Sequence, residues 1–269
     1  MEKKVIAEFF DQCAPWWDAD MVRHEDIIST ILTCGGVRPG VDVLDVACGT
    51  GVLFPDYLSR GVASVTGIDI SPEMAKIAAG KFPEVQVICG DVEETAFNRQ
   101  FDCVMVYNAF HHFPDPARLV AVLAGLTKPG GRLSVAHSMS RAALTAHHSG
   151  RASNVSIDLL HEQELATLFG RWFDVDVVIS TDRMYQVSGV RRDDGGKRTA
   201  AEEATTEEML ALMKFMVSHN DAHAQEMADL ALRLKEEGKT RAGQKLMEIV
   251  ADFDTVNARL AAVVDELNN

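Results

Sequence analysis

An acid inside an apolar run, two glycines behind it and a second acid about twenty residues on would together make a ligand site. The run is Val-Leu-Asp-Val-Ala-Cys-Gly-Thr-Gly, residues 43–51. Gly49 and Gly51 tolerate positive φ and let a ligand approach the backbone closely. Asp45 lies just ahead of the turn, where a carboxylate repels a pyrophosphate and attracts a cationic or amino-bearing ligand. Phe54 stands where a dinucleotide turn has its third glycine, which also weighs against a nicotinamide cofactor. Asp69 has the spacing of an acid whose two oxygens take both O–H donors of a ribose. Histidine is the other reactive type, with nine in the chain. His111, His112, His137, His147 and His148 fall near the expected ligand edge, and a neutral imidazole suits a general base. His219 and His223 would share a helix face, the geometry of a two-histidine chelate. Two histidines alone make a weak metal site, and a polar helix junction capped by Asn220 or Asp221 accounts for them better.

The elements that must hold these residues follow from the apolar pattern. Residues 1–38 read as helical and amphipathic, with Phe9, Phe10, Trp16 and Trp17 clustered around Pro15. Strands are expected at 41–46, 63–70, 85–89, 101–107 and 132–136, alternating with helices, one of which starts near Val52. Lys-Pro-Gly-Gly, within residues 126–131, reads as the turn before the fifth strand. Ser71 is placed to cap a helix that starts with Pro72. Helices at 141–148 and 161–169 and strands at 173–180 and 184–190 would complete a seven-stranded, doubly wound, Rossmann-like α/β sheet. Ligands in such sheets sit beyond the carboxyl ends of the strands. The charged, glycine-containing stretch 191–206 reads as a linker. Residues 207–269 read as an all-helical hairpin or three-helix unit, with breaks at Gly238 and Gly243.

Leu-Asp-x-x-Cys-Gly-Thr-Gly resembles the first motif of class I S-adenosylmethionine (SAM)-dependent methyltransferases. The likeness extends over about residues 9–190 and is nearest to the small-molecule branch that includes quinone methyltransferase-like enzymes. It implies a SAM site built from Asp45, Ala47, Gly49, Thr50, Gly51, Asp69, Ile70, Met74, Asp91, Val92 and Asn108. Ile70 and Met74 would flank the adenine, and Asp91 would accept from its exocyclic amine. Phe-Asp-x-x-Ala-x-x-Trp-Asp is similar to a helical lid, so Phe10, Trp16, Trp17, His112, His147 and His148 are expected around the acceptor. His111, His137 and Tyr107 are the candidate catalytic residues. The product would be S-adenosylhomocysteine (SAH). Asn108-Ala-Phe-His replaces the Asn-Pro-Pro-Tyr-like motif of enzymes that methylate exocyclic amines. The helical unit falls outside the resemblance. It leaves open a SAM-fold binding protein whose helical unit senses or carries a metal through His219 and His223. A methyltransferase with a metal-bearing substrate also stays open.

The 269 residues, 47% hydrophobic, can bury a full core. A net charge of −14 argues against nucleic acid and anionic membranes as partners. The N-terminus does not read as a signal peptide, and no apolar run is long enough for stable membrane insertion. Cys13, Cys34, Cys48, Cys89 and Cys103 form no Cys-x-x-Cys pair and read as reduced core or site-lining thiols of a cytoplasmic protein. A small-molecule substrate is the expected partner, and a homodimer through the helical unit is an option.

Overall fold

The structure is a computed structural model that describes residues 2–19, 21–148, 154–193 and 206–268. It divides into two compact units, Met1–Glu203 and Ala204–Asn269. The linker expected at 191–206 lies mostly outside the described residues.

The first unit is built on seven strands: β1 (Asp42–Val46), β2 (Ser64–Asp69), β3 (Gln86–Cys89), β4 (Phe101–Tyr107), β5 (Thr127–His137), β6 (Phe173–Ser180) and β7 (Tyr185–Arg191). Their order across the sheet is β3-β2-β1-β4-β5-β7-β6. The pairs from β3 to β5 are parallel, and β7 runs antiparallel to both of its neighbours. The central strands are apolar on both faces, as strands covered by helices on both sides must be. Val43, Leu44, Val46, Val104, Met105 and Val106 are all fully buried. The order reverses beside β1, and there the strand ends leave a crevice for a ligand.

The helices of this unit are α1 (Lys3–Cys13), α2 (Glu25–Cys34), α3 (Phe54–Ser59), α4 (Pro72–Lys81), α5 (Pro116–Leu126), α6 (Arg141–His148) and α7 (Glu162–Phe169). Ser71 caps α4, its Oγ accepting from the Met74 N–H at 3.1 Å, with Pro72 in the first turn. Asp115 caps α5 in the same way through the Arg118 N–H. Two expectations are refined here. Lys-Pro-Gly-Gly falls within the bounds of β5, but the pairing with β4 passes over it: Thr127 lies opposite Phe101 and Arg132 opposite Cys103, with Gly130 at φ 73° between them. The helix after the glycine turn starts at Phe54, because the turn continues through Leu53.

The second unit is two long helices, α8 (Thr206–Glu236) and α9 (Thr240–Asn268), joined at Gly238, which has φ +80°. Gly243 does not break α9. It lets α9 approach α8 closely, since an added Cβ would lie 2.6 Å from the Ala231 carbonyl oxygen. No junction forms at Asn220 or Asp221 either, since α8 runs through both. No helix among the described residues is long and apolar enough to cross a membrane.

Candidate active site

The chain leaves β1 through two residues in the left-handed region, Ala47 at φ 55° and Gly49 at φ 56°, followed by Gly51 at φ 82°. Glycine adopts this conformation at no steric cost, but alanine is strained there by about 1 kcal/mol. The end of β4 has the same feature at Asn108, φ 53°. Strained residues at two adjacent strand ends are the kind of backbone found where a ligand is gripped. Asn108 is tied to the end of β5: its Oδ1 accepts from the Ser138 N–H at 2.9 Å and its Nδ2 donates to Ser138 Oγ at 3.1 Å.

Asp69, at the end of β2, organises the turn. Its Oδ2 accepts from the Gly49 N–H at 2.8 Å and its Oδ1 from the Ser71 N–H at 2.9 Å. Each oxygen keeps a further acceptor position toward the crevice. Burial raises its pKa to about 6, although both backbone N–H groups favour the ionised form. Asp45 is deeper still, and burial pushes it up to about 8 against the opposing pull of the Tyr57 hydroxyl, with the charge of Asp69 adding to the rise. A buried acid held neutral next to a cavity is poised to ionise when a cation arrives.

The cavity over these strand ends has a volume of about 840 Å³. Asp45, Ala47, Gly49, Asp69, Ile70, Met74, Asp91, Val92, Asn108 and Tyr107 line it, as do Phe10, Trp16, Trp17 and His112. Thr50 and Gly51 do not. Thr50 is buried behind the turn, where its Oγ1 donates to Asp18 at 2.6 Å, and Gly51 only shapes the backbone.

The N-terminal segment covers the cavity and is held by charge as well as by aromatic packing. Phe10 meets the Trp17 ring edge-on at 5.7 Å and the His112 ring at 4.9 Å. Asp11 accepts from Ser71 Oγ at 2.6 Å and from the Glu73 N–H at 3.1 Å. Asp18 pairs with Lys81 at 2.7 Å, and Lys3 pairs with Asp91 and Glu93. Arg23, a further cavity residue, pairs with Asp56 at 2.8 Å. Sequence reading missed these tethers. Asp11 directly follows Phe10 and Asp18 directly follows Trp17, and an acid next to each bulky pair was the available signal.

The histidines separate into two layers. His112 lines the cavity; His111 and His137 do not and are buried behind it. Ring centroids lie 3.9 Å apart for His111 and His112, 5.2 Å for His111 and His137, and 6.0 Å for His137 and Tyr185. Segment 154–160 covers this stack, with the Ile157 N–H on the His111 carbonyl and the Val155 carbonyl 2.7 Å from His112 Nδ1. That carbonyl can only accept, so the proton sits on Nδ1 and the basic nitrogen of His112 is Nε2. Burial raises the Tyr107 phenol above its ordinary range, which suits a donor better than a base. The side chains of His147, His148, His219 and His223 lie outside the described residues. Among the described residues no group of three or more His, Cys, Asp or Glu is arranged to hold a metal. None of the five cysteines is in a disulfide, and Cys89 is exposed rather than in the core.

Comparison with known proteins gives the same picture. Residues 44–135 match the family model of a methyltransferase domain, and residues 209–267 match a domain of unknown function, DUF8180. The ubiquinone biosynthesis O-methyltransferase of Xanthomonas oryzae pv. oryzae is 37% identical over 133 residues, 44% of this chain and 54% of that protein. The demethylmenaquinone methyltransferase of Renibacterium salmoninarum is 31% identical over 141 residues, 49% of this chain and 57% of that protein. The chain thus spans little more than half the length of the curated relatives it matches. The fold is shared with the N-methyltransferase NodS of Bradyrhizobium japonicum, solved with SAH (TM-score 0.56, 12% identity, 70% of this chain and 99% of that one). It is shared too with the magnesium protoporphyrin IX methyltransferase ChlM of Synechocystis (TM-score 0.55, 18% identity, 71% of this chain and 100% of that one). The glycine turn and the acids Asp45 and Asp69 fall within residues 44–135, the stretch that matches a methyltransferase domain, and the seven-stranded sheet around them has the class I methyltransferase fold.

Proposed function

We propose that the chain transfers a methyl group from SAM to a small-molecule acceptor. The observation that carries this reading is one cavity with acids at its floor and an aromatic and histidine wall above them. The residues fit the cofactor. Asp69 has acceptor positions left for ribose hydroxyls, Ile70 and Met74 offer apolar faces for adenine, and Asp91 lies beyond them. Asp45 and the turn of Ala47 and Gly49 suit a ligand with ammonium and sulfonium groups. When bound, SAM supplies an activated methyl group and departs as SAH. The chain's own work is positioning, which is most of what an in-line displacement needs. Phe10, Trp16 and Trp17 exclude water, and His112 Nε2 takes the acceptor's proton. His111 packs against the His112 ring and His137 against His111, placed to set the orientation of His112. We further infer a cytoplasmic protein whose copies meet through the helical unit.

Transfer of radiolabelled methyl from SAM by the purified chain, into fractions of a cell extract, tests this reading. Label is expected among small molecules or lipids, and His112→Ala should reduce it by about 100-fold or more while SAM still binds. Label confined to protein would overturn the choice of acceptor. No transfer despite tight SAM binding would favour a binding protein.

A further inference from the structure

The two helices of the second unit pair along one face only. Ala224 and Ala231 of α8 and Gly243, Val250, Asn257 and Val264 of α9 are buried, each set spaced by seven residues. Asn257 fixes their register: its Nδ2 donates to Asp221 Oδ1 at 2.6 Å and to the Val217 carbonyl at 2.9 Å, and its Oδ1 accepts from Asn220 Nδ2 at 2.9 Å. With that face occupied, a second apolar row stays in water. Ile249, Val256 and Val263 of α9, again seven apart, are 53%, 60% and 43% exposed, and Leu230 of α8 is 52% exposed. A two-helix hairpin has no third element of its own to cover such a row.

We propose that a second copy of this chain covers it, through a two-fold axis that passes beside Val256 and sets α9 antiparallel to its counterpart. The charge pattern selects this occupant. Along one edge of the apolar row stand Lys245, Asp252, Arg259 and Glu266, seven apart and alternating in sign. In an antiparallel pair centred on Val256, residue i lies opposite residue 512 − i. Ile249 then meets the partner's Val263. Asp252 comes within one position of the partner's Arg259, and Lys245 within one of the partner's Glu266. Every charge on the edge faces its opposite, twice over by symmetry, which is the self-complementarity that a two-fold interface requires. The area is adequate as well. A helix of this length is about 43 Å long, and a face two helices wide buries roughly 800 Å² per copy, the usual share in a stable interface.

This inference deepens the homodimer reading and is independent of methyl transfer, so its test reads mass rather than activity. Sedimentation equilibrium of the full chain at micromolar concentration should give twice the chain mass of 29.4 kDa. Val256→Glu should give a monomer with unchanged helical content. Asp252→Arg, on the exposed edge, should weaken the dimer by about tenfold, since the two-fold repeats the change. Adding Arg259→Asp to it should restore the affinity, which an unrelated contact surface would not do. A wild-type chain that stays monomeric sinks both the dimer and this interface. A dimer indifferent to Val256→Glu and to the charge exchange places the contact elsewhere. If Val256→Glu loses helicity, the charge exchange alone decides.

Discussion

Asp45 and Asp69 are two acids in one crevice with the same physical problem, burial without a cation. Burial raises Asp45 to about 8 and Asp69 to about 6. An acid whose folded pKa lies above its unfolded value holds more protons in the folded state. The stability it contributes is therefore complete below the unfolded pKa, near 4, and declines as pH rises through the folded values. A cationic ligand reverses the preference, because it binds the ionised acids best. The protein without SAM should thus lose thermal stability between about pH 4 and pH 8, and SAM affinity should rise between pH 6 and pH 8, by up to about tenfold per pH unit for each group that titrates. Calorimetry in two buffers of different ionisation enthalpy checks this directly. Near pH 7 the binding should release protons, and an enthalpy independent of buffer would mean that these acids do not answer the cofactor's charge.

At the scale of elements, the missing third glycine of the turn has a structural counterpart. Phe54 opens α3, and its ring lies against Gly67 of β2, the residue beside Asp45 in the sheet. A Cβ at Gly67 would meet Phe54 Cζ at 2.6 Å and Cys48 Sγ at 2.9 Å. The glycine that lets helix and strand approach has moved from the helix to the strand. Gly67→Ala should destabilise the first unit by about 1–3 kcal/mol, measured by urea unfolding, and Phe54→Leu in the same chain should recover part of the loss. An unchanged midpoint would show that the ring moves aside freely. The same comparison explains what was readable beforehand. Strands β1, β2 and β4 are apolar runs cut short by glycine, acid or asparagine, so their ends, and with them Asp45, Asp69 and Asn108, could be placed from residue types alone. The start of β5 could not, because Lys-Pro-Gly-Gly has turn composition and is passed over by the pairing, while Thr127 ahead of it already lies opposite Phe101 of β4. In α8, Asn220 and Asp221 look like a junction. They are polar because Asn257 on α9 is their partner, a contact 36 or 37 residues away that no local pattern reveals. The depth of His111 and His137 behind His112 was equally hidden, since all three are histidines at or just after strand ends and only tertiary packing tells wall from interior.

For the whole molecule, the division into two units with separate cores makes two stabilities of different kinds. The first unit buries residues on both faces of a seven-stranded sheet and carries the ligand cavity. The second consists of two helices whose buried face, among the described residues, is a narrow row of alanine, glycine and valine with one asparagine. A unit of about 65 residues that buries so narrow a face is marginal by itself, and association is the usual supplement. Ligand binding and association act through mass action on whichever unit they engage. Calorimetric scans of the full chain should therefore show two transitions. SAM at about a hundred times its Kd should raise the transition of the first unit by about 2.7 kcal/mol and leave the other where it is. Raising the protein concentration tenfold should move only the transition of the helical unit, and Val256→Glu should abolish that dependence. A single transition that shifts with both ligand and protein concentration would mean that the two units unfold as one cooperative block, and transitions that all ignore protein concentration would mean that a second copy does not stabilise the helical unit.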